Sequence, residues 1–134
     1  HGDKLFVTHN IDPAIFSYGI PSLTLQPIIE NSIKHGLQPR EVGGSITIEG
    51  TMTDTDIIIT VTDDGVGFQG DPDYYLEHPP QGHIGLSNVH QRLRGLYGAP
   101  YGLAITSVPE EGTTVVIRIP KVQPESNSTP ERTE

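Results

Sequence analysis

The sequence predicts an α/β (α+β) domain of two layers: a mixed, mostly antiparallel sheet of about five strands, with helices packed on one face. Three observations predict it. Two stretches, Leu25 to Leu37 and Leu86 to Tyr97, carry apolar residues at three- and four-residue spacing. Several shorter stretches alternate apolar and polar residues or are β-branched throughout. Turn residues join two pairs of these stretches, which makes each pair an antiparallel hairpin. With 134 residues the chain has room for one domain with a real core.

Each element has its own justification. Lys4 to His9 alternates loosely around Leu5, Phe6 and Val7 and reads as a short strand, which Asn10, Asp12 and Pro13 end with turn chemistry. Ala14 to Tyr18 fits either a short turn of helix or a strand. The first helix starts near Ser22 or Thr24, either of which can cap it. With Thr24 as the cap, Pro27 lies in the first turn, where its missing N–H is harmless. Leu25, Ile28, Ile29, Ile33 and Leu37 form the apolar stripe; Glu30, Asn31, Lys34 and Gln38 share another face. Gly36 or the residues after it stop the helix, and Gln38 to Gly44 is a polar loop.

Ser45 to Met52 alternates as a half-buried strand, and Asp54-Thr55-Asp56 turns the chain. Ile57 to Thr62 is β-branched throughout, which predicts a strand buried on both faces or central in the sheet. It runs directly into Asp63-Asp64-Gly65-Val66-Gly67-Phe68. The long stretch Gln69 to His83, rich in Pro, Gly, Asp and Tyr, reads as a functional lid or as disorder. A second helix starts at Gly85 and stops before Gly98, with Leu86, Val89, Leu93 and either Leu96 or Tyr97 on its stripe. Gly102 to Val108 and Thr113 to Ile119 are the last strands, turned by Pro109 to Gly112. From Lys121 the composition shifts to Pro, Glu, Ser, Thr and Asn, so residues 1–120 are expected to fold and 121–134 to form a disordered tail.

Composition removes some functions. Eight Lys and Arg stand against seventeen acids, for a net charge of −9, which leaves no basic face for nucleic acid. The absence of cysteine removes disulfides, thiolate nucleophiles and Cys-based zinc sites. No apolar run approaches the length of a membrane span. The chain opens without Met, so a piece of a larger protein is expected. His78, His83 and His90 lack metal-site spacing and are expected in loops or on the surface.

Three stretches could carry chemistry. Glu30, Asn31 and Lys34 place a carboxylate, an amide and an amine within about a turn of each other. In Asp63-Asp64-Gly65-Val66-Gly67 a carboxylate ends a strand, and two glycines then let the backbone turn sharply and approach a ligand. In Gly82 to Leu93 glycines lead a helix whose free N–H groups suit a phosphate. Singly, these also fit a solvated helix face, a strand-ending turn and a glycine-initiated helix.

Their order resembles the ATP-binding fold shared by histidine kinases, gyrase, one class of heat-shock chaperones and MutL, the Bergerat or GHKL fold. The fit is closest to sensor histidine kinases of the LytS/YesM type. Ile20 to Gly36 is similar to their I-P-x-L-x-L-Q-P-L-V-E-N-A-I-x-H-G signature. Asp63 to Gly67 resembles D-N-G-x-G, Ile84 to Leu93 resembles I-G-L-x-N-V-x-x-R-L, and Gly112 to Pro120 resembles G-T-x-V-x-I-x-I-P. The likeness covers Ile11 to Pro120.

The resemblance implies roles. Asn31 matches the residue that coordinates Mg²⁺ at the phosphates, and Glu30 the acid that orients or deprotonates the attacking group. Asp63 matches the carboxylate that accepts a hydrogen bond from the adenine amino group, a bond worth about 1.5–3 kcal/mol. Gly65 and Gly67 match the glycines beneath the base. Gly82, Gly85 and Leu86 match the phosphate-side glycine box. Lys34 and His35 fall near the phosphates, and Thr114 of the last motif among the nucleotide contacts. The implied cofactors are ATP and Mg²⁺. The implied partners are a phosphoacceptor His domain of the same kinase and, through it, a response regulator. The implied setting is the cytoplasmic part of a membrane-anchored bacterial homodimer.

Three departures stand out. His83 replaces a frequent glycine, Asp64 replaces a frequent Asn, and no helix here resembles the phosphoacceptor region. The rival functions are a GHKL-type ATPase with Glu30 activating water, a nucleotide-binding regulatory module without phosphotransfer, and a structural domain that binds no nucleotide.

Overall fold

Period-two alternation in five segments produces five strands: β1 (Leu5–Ile11), β2 (Gly44–Met52), β3 (Asp56–Asp63), β4 (Gly102–Val108) and β5 (Gly112–Pro120). The computed structural model describes residues 5–17, 25–33, 44–67, 70–78 and 84–121. The strands form one sheet in the order β1-β2-β3-β5-β4. β1 runs parallel to β2 and every other pairing is antiparallel, so the sheet is mixed and mostly antiparallel.

β3 lies at the centre. It is not buried on both faces, however. Ile57, Ile59, Val61 and Asp63 are buried on one side, while Ile58, Thr60 and Thr62 are half-buried on the other. The helices cover only one face. On the uncovered face the register aligns one threonine from every strand: Thr8, Thr47, Thr62, Thr114 and Thr106. Branched side chains with a hydroxyl suit a pleated surface that meets water.

On the covered face lie α1 (Leu25–Asn31), α2 (Pro72–Glu77), α3 (Ile84–Tyr97) and a 3-10 turn over Pro13–Ser17, which resolves the ambiguous stretch in favour of helix. Ile15, Ile28, Leu76, Leu86, Val89 and Leu93 join Ile57, Ile59, Val61, Val115, Ile117 and Ile119 in one core. Gly50 permits the close approach of the 3-10 turn, since a Cβ there would lie 2.9 Å from Ile15 Cδ1. In α3 the stripe continues to Tyr97, which packs against the core, while Leu96 is 57% exposed. Gly98 ends this helix at φ +77°, its N–H donating to Arg94 O at 2.8 Å.

Two expectations are overturned. His90 is a core residue, not a loop or surface histidine. It falls four residues after Leu86 on the buried stripe, and its Nδ1 accepts the Leu103 N–H at 3.0 Å. Burial first, and then the positive Arg94, lower its pKa, so the ring is held neutral with its proton on Nε2. Gly102 makes the room, because a Cβ there would lie 2.8 Å from Nδ1. The stretch from Gln69 to His83 is also not one open loop: α2 occupies its middle, and Leu76 is buried in the core. The expected start of α1 at Ser22 or Thr24, its stop at Gly36 and the tail beyond Lys121 lie outside the described residues.

At the end of β3 opposite Asp63, a second buried carboxylate closes the sheet. Asp56 Oδ1 accepts the Tyr101 hydroxyl at 2.8 Å, and Oδ2 accepts Arg118 Nε at 2.8 Å. Another guanidinium nitrogen of Arg118 lies 2.7 Å from the same oxygen. The Tyr101 hydroxyl bond, and after it Arg118, hold the Asp56 pKa below the ordinary 3.8 in spite of burial. A depressed pKa contributes stability that is present above the unfolded value and is lost as pH falls through the folded one. Asp56→Asn is therefore expected to lower Tm by several degrees at pH 7. Melting curves at pH 7 and pH 3 check this: the gap to the unmodified protein should narrow in acid, and an equal gap at both pH values would contradict the assignment.

Candidate functional site

Alternation along β3 places Asp63 on the helix-covered face, in line with Ile57, Ile59 and Val61. The residue is only 4% exposed. Its Oδ1 accepts the Gly65 N–H at 2.9 Å, and the carboxylate also receives the Ser32 hydroxyl and the Thr113 main-chain amide. Burial raises its pKa above the ordinary 3.8 and the negative Asp64 adds to the rise. The three hydrogen bonds oppose the shift, and desolvation prevails.

Asp64 has a different task. It is exposed, its Oδ1 accepts the Ser45 N–H at 2.8 Å, and its own N–H donates to Ser45 O at 3.3 Å. The carboxylate at this position ties the end of β3 to the start of β2.

The turn after Asp63 is clamped by the β4–β5 hairpin. Glu110 N–H donates to Val66 O at 2.6 Å. Gly67 has φ +75°, and a Cβ there would lie 2.5 Å from Val108 O. A Cβ on Gly112, at φ +141°, would run into Asp63 O. Gly67 is thus required by close backbone packing, whatever else it does.

α1 supplies the next wall. Ile28 and Ser32, four residues apart, are buried; Asn31 is half-buried and Glu30 exposed. The first turns of α1 and α3 meet, since a Cβ on Gly85 would sit 3.7 Å from Pro27 Cβ. The Leu86 side chain is 3% exposed in the core, so Leu86 can offer a ligand only its main chain. Lys34, His35 and Gly82 lie outside the described residues.

Thr114 is corrected. It projects onto the uncovered face between Thr62 and Thr106. Thr113, opposite Asp63 in the register and 6% exposed, occupies the site face. A one-residue difference reverses the face in a strand, and Val115, Ile117 and Ile119, all buried, assign the odd positions of β5 to the helices. Ser32 is the other residue the sequence reading missed. Its signal was a polar residue four places after Ile28 on an otherwise apolar stripe.

These contacts join Asp63 to Gly65 of the following turn and to Ser32, which follows Asn31, and join the first turn of α1 to Gly85 of α3. A mixed five-stranded sheet with helices on one face is the fold of histidine kinase catalytic domains. The catalytic domain of histidine kinase ThkA, nucleotide-free, superposes with a TM-score of 0.65 at 14% identity, over 90% of this chain and 82% of that one. The histidine kinase domain of the blue-light activated kinase from Erythrobacter litoralis EL346 gives 0.63 at 20% identity, over 88% of this chain and 55% of the other. The chain belongs to the family of histidine kinase-, DNA gyrase B- and HSP90-like ATPases, which residues 21–123 match.

Among curated proteins it is similar to sensor histidine kinase YesM of Bacillus subtilis, at 39% identity over 88% of this chain and 20% of the relative. Sensor histidine kinase YpdA of Escherichia coli is 40% identical over 89% and 21%. The sensor protein LytS of Oceanobacillus iheyensis is 32% identical over 88% and 21%. The chain thus spans about a fifth of the length of the curated relatives it matches.

The raised pKa of Asp63 has a consequence for stability. A raised folded value leaves stability fully present below the unfolded pKa and removes it as pH rises through the folded one. At pH 7 the ionised Asp63 therefore weakens the ligand-free domain. Asp63→Asn, which carries no charge to desolvate, is expected to raise Tm at pH 7 and to change it little at pH 3. A clear loss of stability at pH 7 would contradict this account.

Proposed function

We propose that the domain binds ATP with Mg²⁺ and, in the intact protein, presents the γ-phosphate to a histidine on a separate upstream phosphoacceptor domain, as one step of two-component signalling. The carrying observation is Asp63, a buried carboxylate at the end of the central strand. An ionised carboxylate has about four acceptor positions, and Gly65, Ser32 and Thr113 engage it three times. Among the described residues these leave capacity for one more donor, and the exocyclic amino group of adenine is such a donor. A guanine presents a carbonyl at that place, which would face the carboxylate with no proton between them.

The phosphates are assigned to the start of α3. The start of α3, led by Gly85, offers main-chain N–H groups and the positive end of the helix dipole. Asn31 fits the metal: Mg²⁺ prefers hard oxygen ligands and is commonly held by one or two protein groups together with the phosphates. The side-chain amide of Asn31 supplies one such oxygen from the half-buried rim of α1. When bound, the ion would neutralise phosphate charge. Glu30, exposed beside Asn31, is the residue we assign to orient the attacking group. Phosphoryl transfer needs mostly positioning and charge neutralisation from the protein, and a domain without its own nucleophile can supply both.

The homology to sensor histidine kinases supports the remainder. The phosphoacceptor domain, a response regulator acting through it, a dimeric membrane-anchored whole and a cytoplasmic position for this domain form the proposed setting. No helix among the described residues is long and apolar enough to cross a membrane.

Calorimetry tests the core of the reading. ATP with Mg²⁺ is expected to bind, and Asp63→Asn should lower ATP affinity roughly 10- to 150-fold while eroding the preference for ATP over GTP. An unchanged preference would refute the adenine role. The isolated chain, incubated with labelled ATP, is expected to acquire no acid-labile phosphate. Label on one of its own histidines would refute transfer to a separate domain, and steady release of phosphate would favour an ATPase in which Glu30 activates water.

A further inference from the structure

Among the described residues of the segment between the glycine turn and α3, Leu76 is buried in the core. α2 has six residues, and isolated helices shorter than about 12 residues are marginal in water. Its start is held locally: Asp71 Oδ1 accepts the Asp73 N–H at 3.0 Å, and Pro72 occupies the first turn. Its end is closed locally by the His78 N–H, which donates to Tyr74 O at 2.8 Å, and is also held from outside. Leu76 is 4% exposed in the core, and its carbonyl is among those a helix end leaves without an intrahelical partner. That carbonyl accepts a buried hydrogen bond of 2.7 Å from the Ser87 hydroxyl. Ser87 is 7% exposed and sits in the first turn of α3, two residues after Gly85.

We propose that Ser87 is a positioning residue for the phosphate side of the nucleotide site, its hydroxyl holding the end of α2 and the Gly85 end of α3 in fixed relation. The inference rests on the ATP reading above. Its physical basis is the obligation of a buried carbonyl. Without the hydroxyl, Leu76 O would have to remain unsatisfied or move toward water. Either response displaces α2 against the first turn of α3, whose N–H groups are those placed to meet a phosphate. The adenine corner has separate supports, because Asp63, Gly65, Thr113 and Ser32 lie on β3, in its turn, on β5 and just past the end of α1. Loss of the Ser87 bond should therefore be felt by the triphosphate and not by the nucleoside.

The test uses the whole 134-residue chain and titrates it with ATP–Mg²⁺ and with adenosine. Ser87→Ala should weaken ATP–Mg²⁺ by about tenfold, leave adenosine affinity within about twofold, and speed amide exchange across residues 72–78 without ligand. Ser87→Thr, which keeps a hydroxyl, should restore triphosphate affinity. Should the alanine variant fold poorly, Ser87→Cys, a weak donor of similar size, takes its place. Equal losses for both ligands, or unchanged exchange over 72–78, would overturn the inference while ATP binding by the unmodified chain still stood. No ATP–Mg²⁺ binding by the unmodified chain would instead overturn the functional reading, and this inference with it.

Discussion

Burial of an ionisable carboxylate at the end of the central strand is the constraint on which the rest of the site depends. Asp63 is 4% exposed, and taking a carboxylate out of water is unfavourable unless donors surround it. The donors come from three directions: Gly65 in the following turn, Ser32 just past the end of α1 and Thr113 on β5. Each fixes a neighbouring element. Gly65 can donate only because the chain reverses at once after β3. Ser32 can donate only if α1 lies flat against the sheet, which Ile28, fully buried on the same stripe, ensures. Thr113 can donate only if β5 keeps its register, and Gly112, pressed against Asp63 O, is the residue that lets it do so.

Period and turn chemistry made most of this legible. The alternation of β2 and β3, the stripes of α1 and α3 and the hairpin at Pro109 to Gly112 were visible because burial on one face imposes a pattern on the chain. Parity was the place where reading failed. Of two adjacent threonines, Thr113 and Thr114, only the one in step with Val115, Ile117 and Ile119 can face the helices. Counting back from those residues would have chosen Thr113. Pattern reading likewise passed over polar residues on apolar stripes. Ser32 follows Ile28 by four, and His90 follows Leu86 by four. Both are buried because both have a partner in the next layer: Asp63 for one and the Leu103 amide for the other. α2 was hidden for a different reason. A six-residue helix among Pro, Gly and Asp has too short a pattern to register, and its stability comes from Leu76 and Ser87, a contact across eleven positions.

The two ends of β3 show how one residue type is put to opposite uses. Asp56 and Asp63 terminate the same strand, and both are less than 5% exposed. The pKa of Asp56 is lowered, by the Tyr101 hydroxyl and then by Arg118, so ionisation there strengthens the fold. The pKa of Asp63 is raised by desolvation, and the negative Asp64 adds to the rise, so ionisation there weakens the fold. The strand itself already separates the two ends, since alternation puts Asp63 on the helix-covered face and Asp56 on the other. The difference lies in what faces each carboxylate: a cation and a phenol at one end, neutral donors and a like charge at the other. A carboxylate that a domain stabilises against its own ligand-free state has its strongest partners already in place. One that is buried at the expense of stability has room for another donor, and an arriving amino group would recover part of what desolvation removed. That asymmetry, beside the Asp-x-Gly-x-Gly spacing, supports the proposal that Asp63 faces a ligand, while Asp56 closes the sheet.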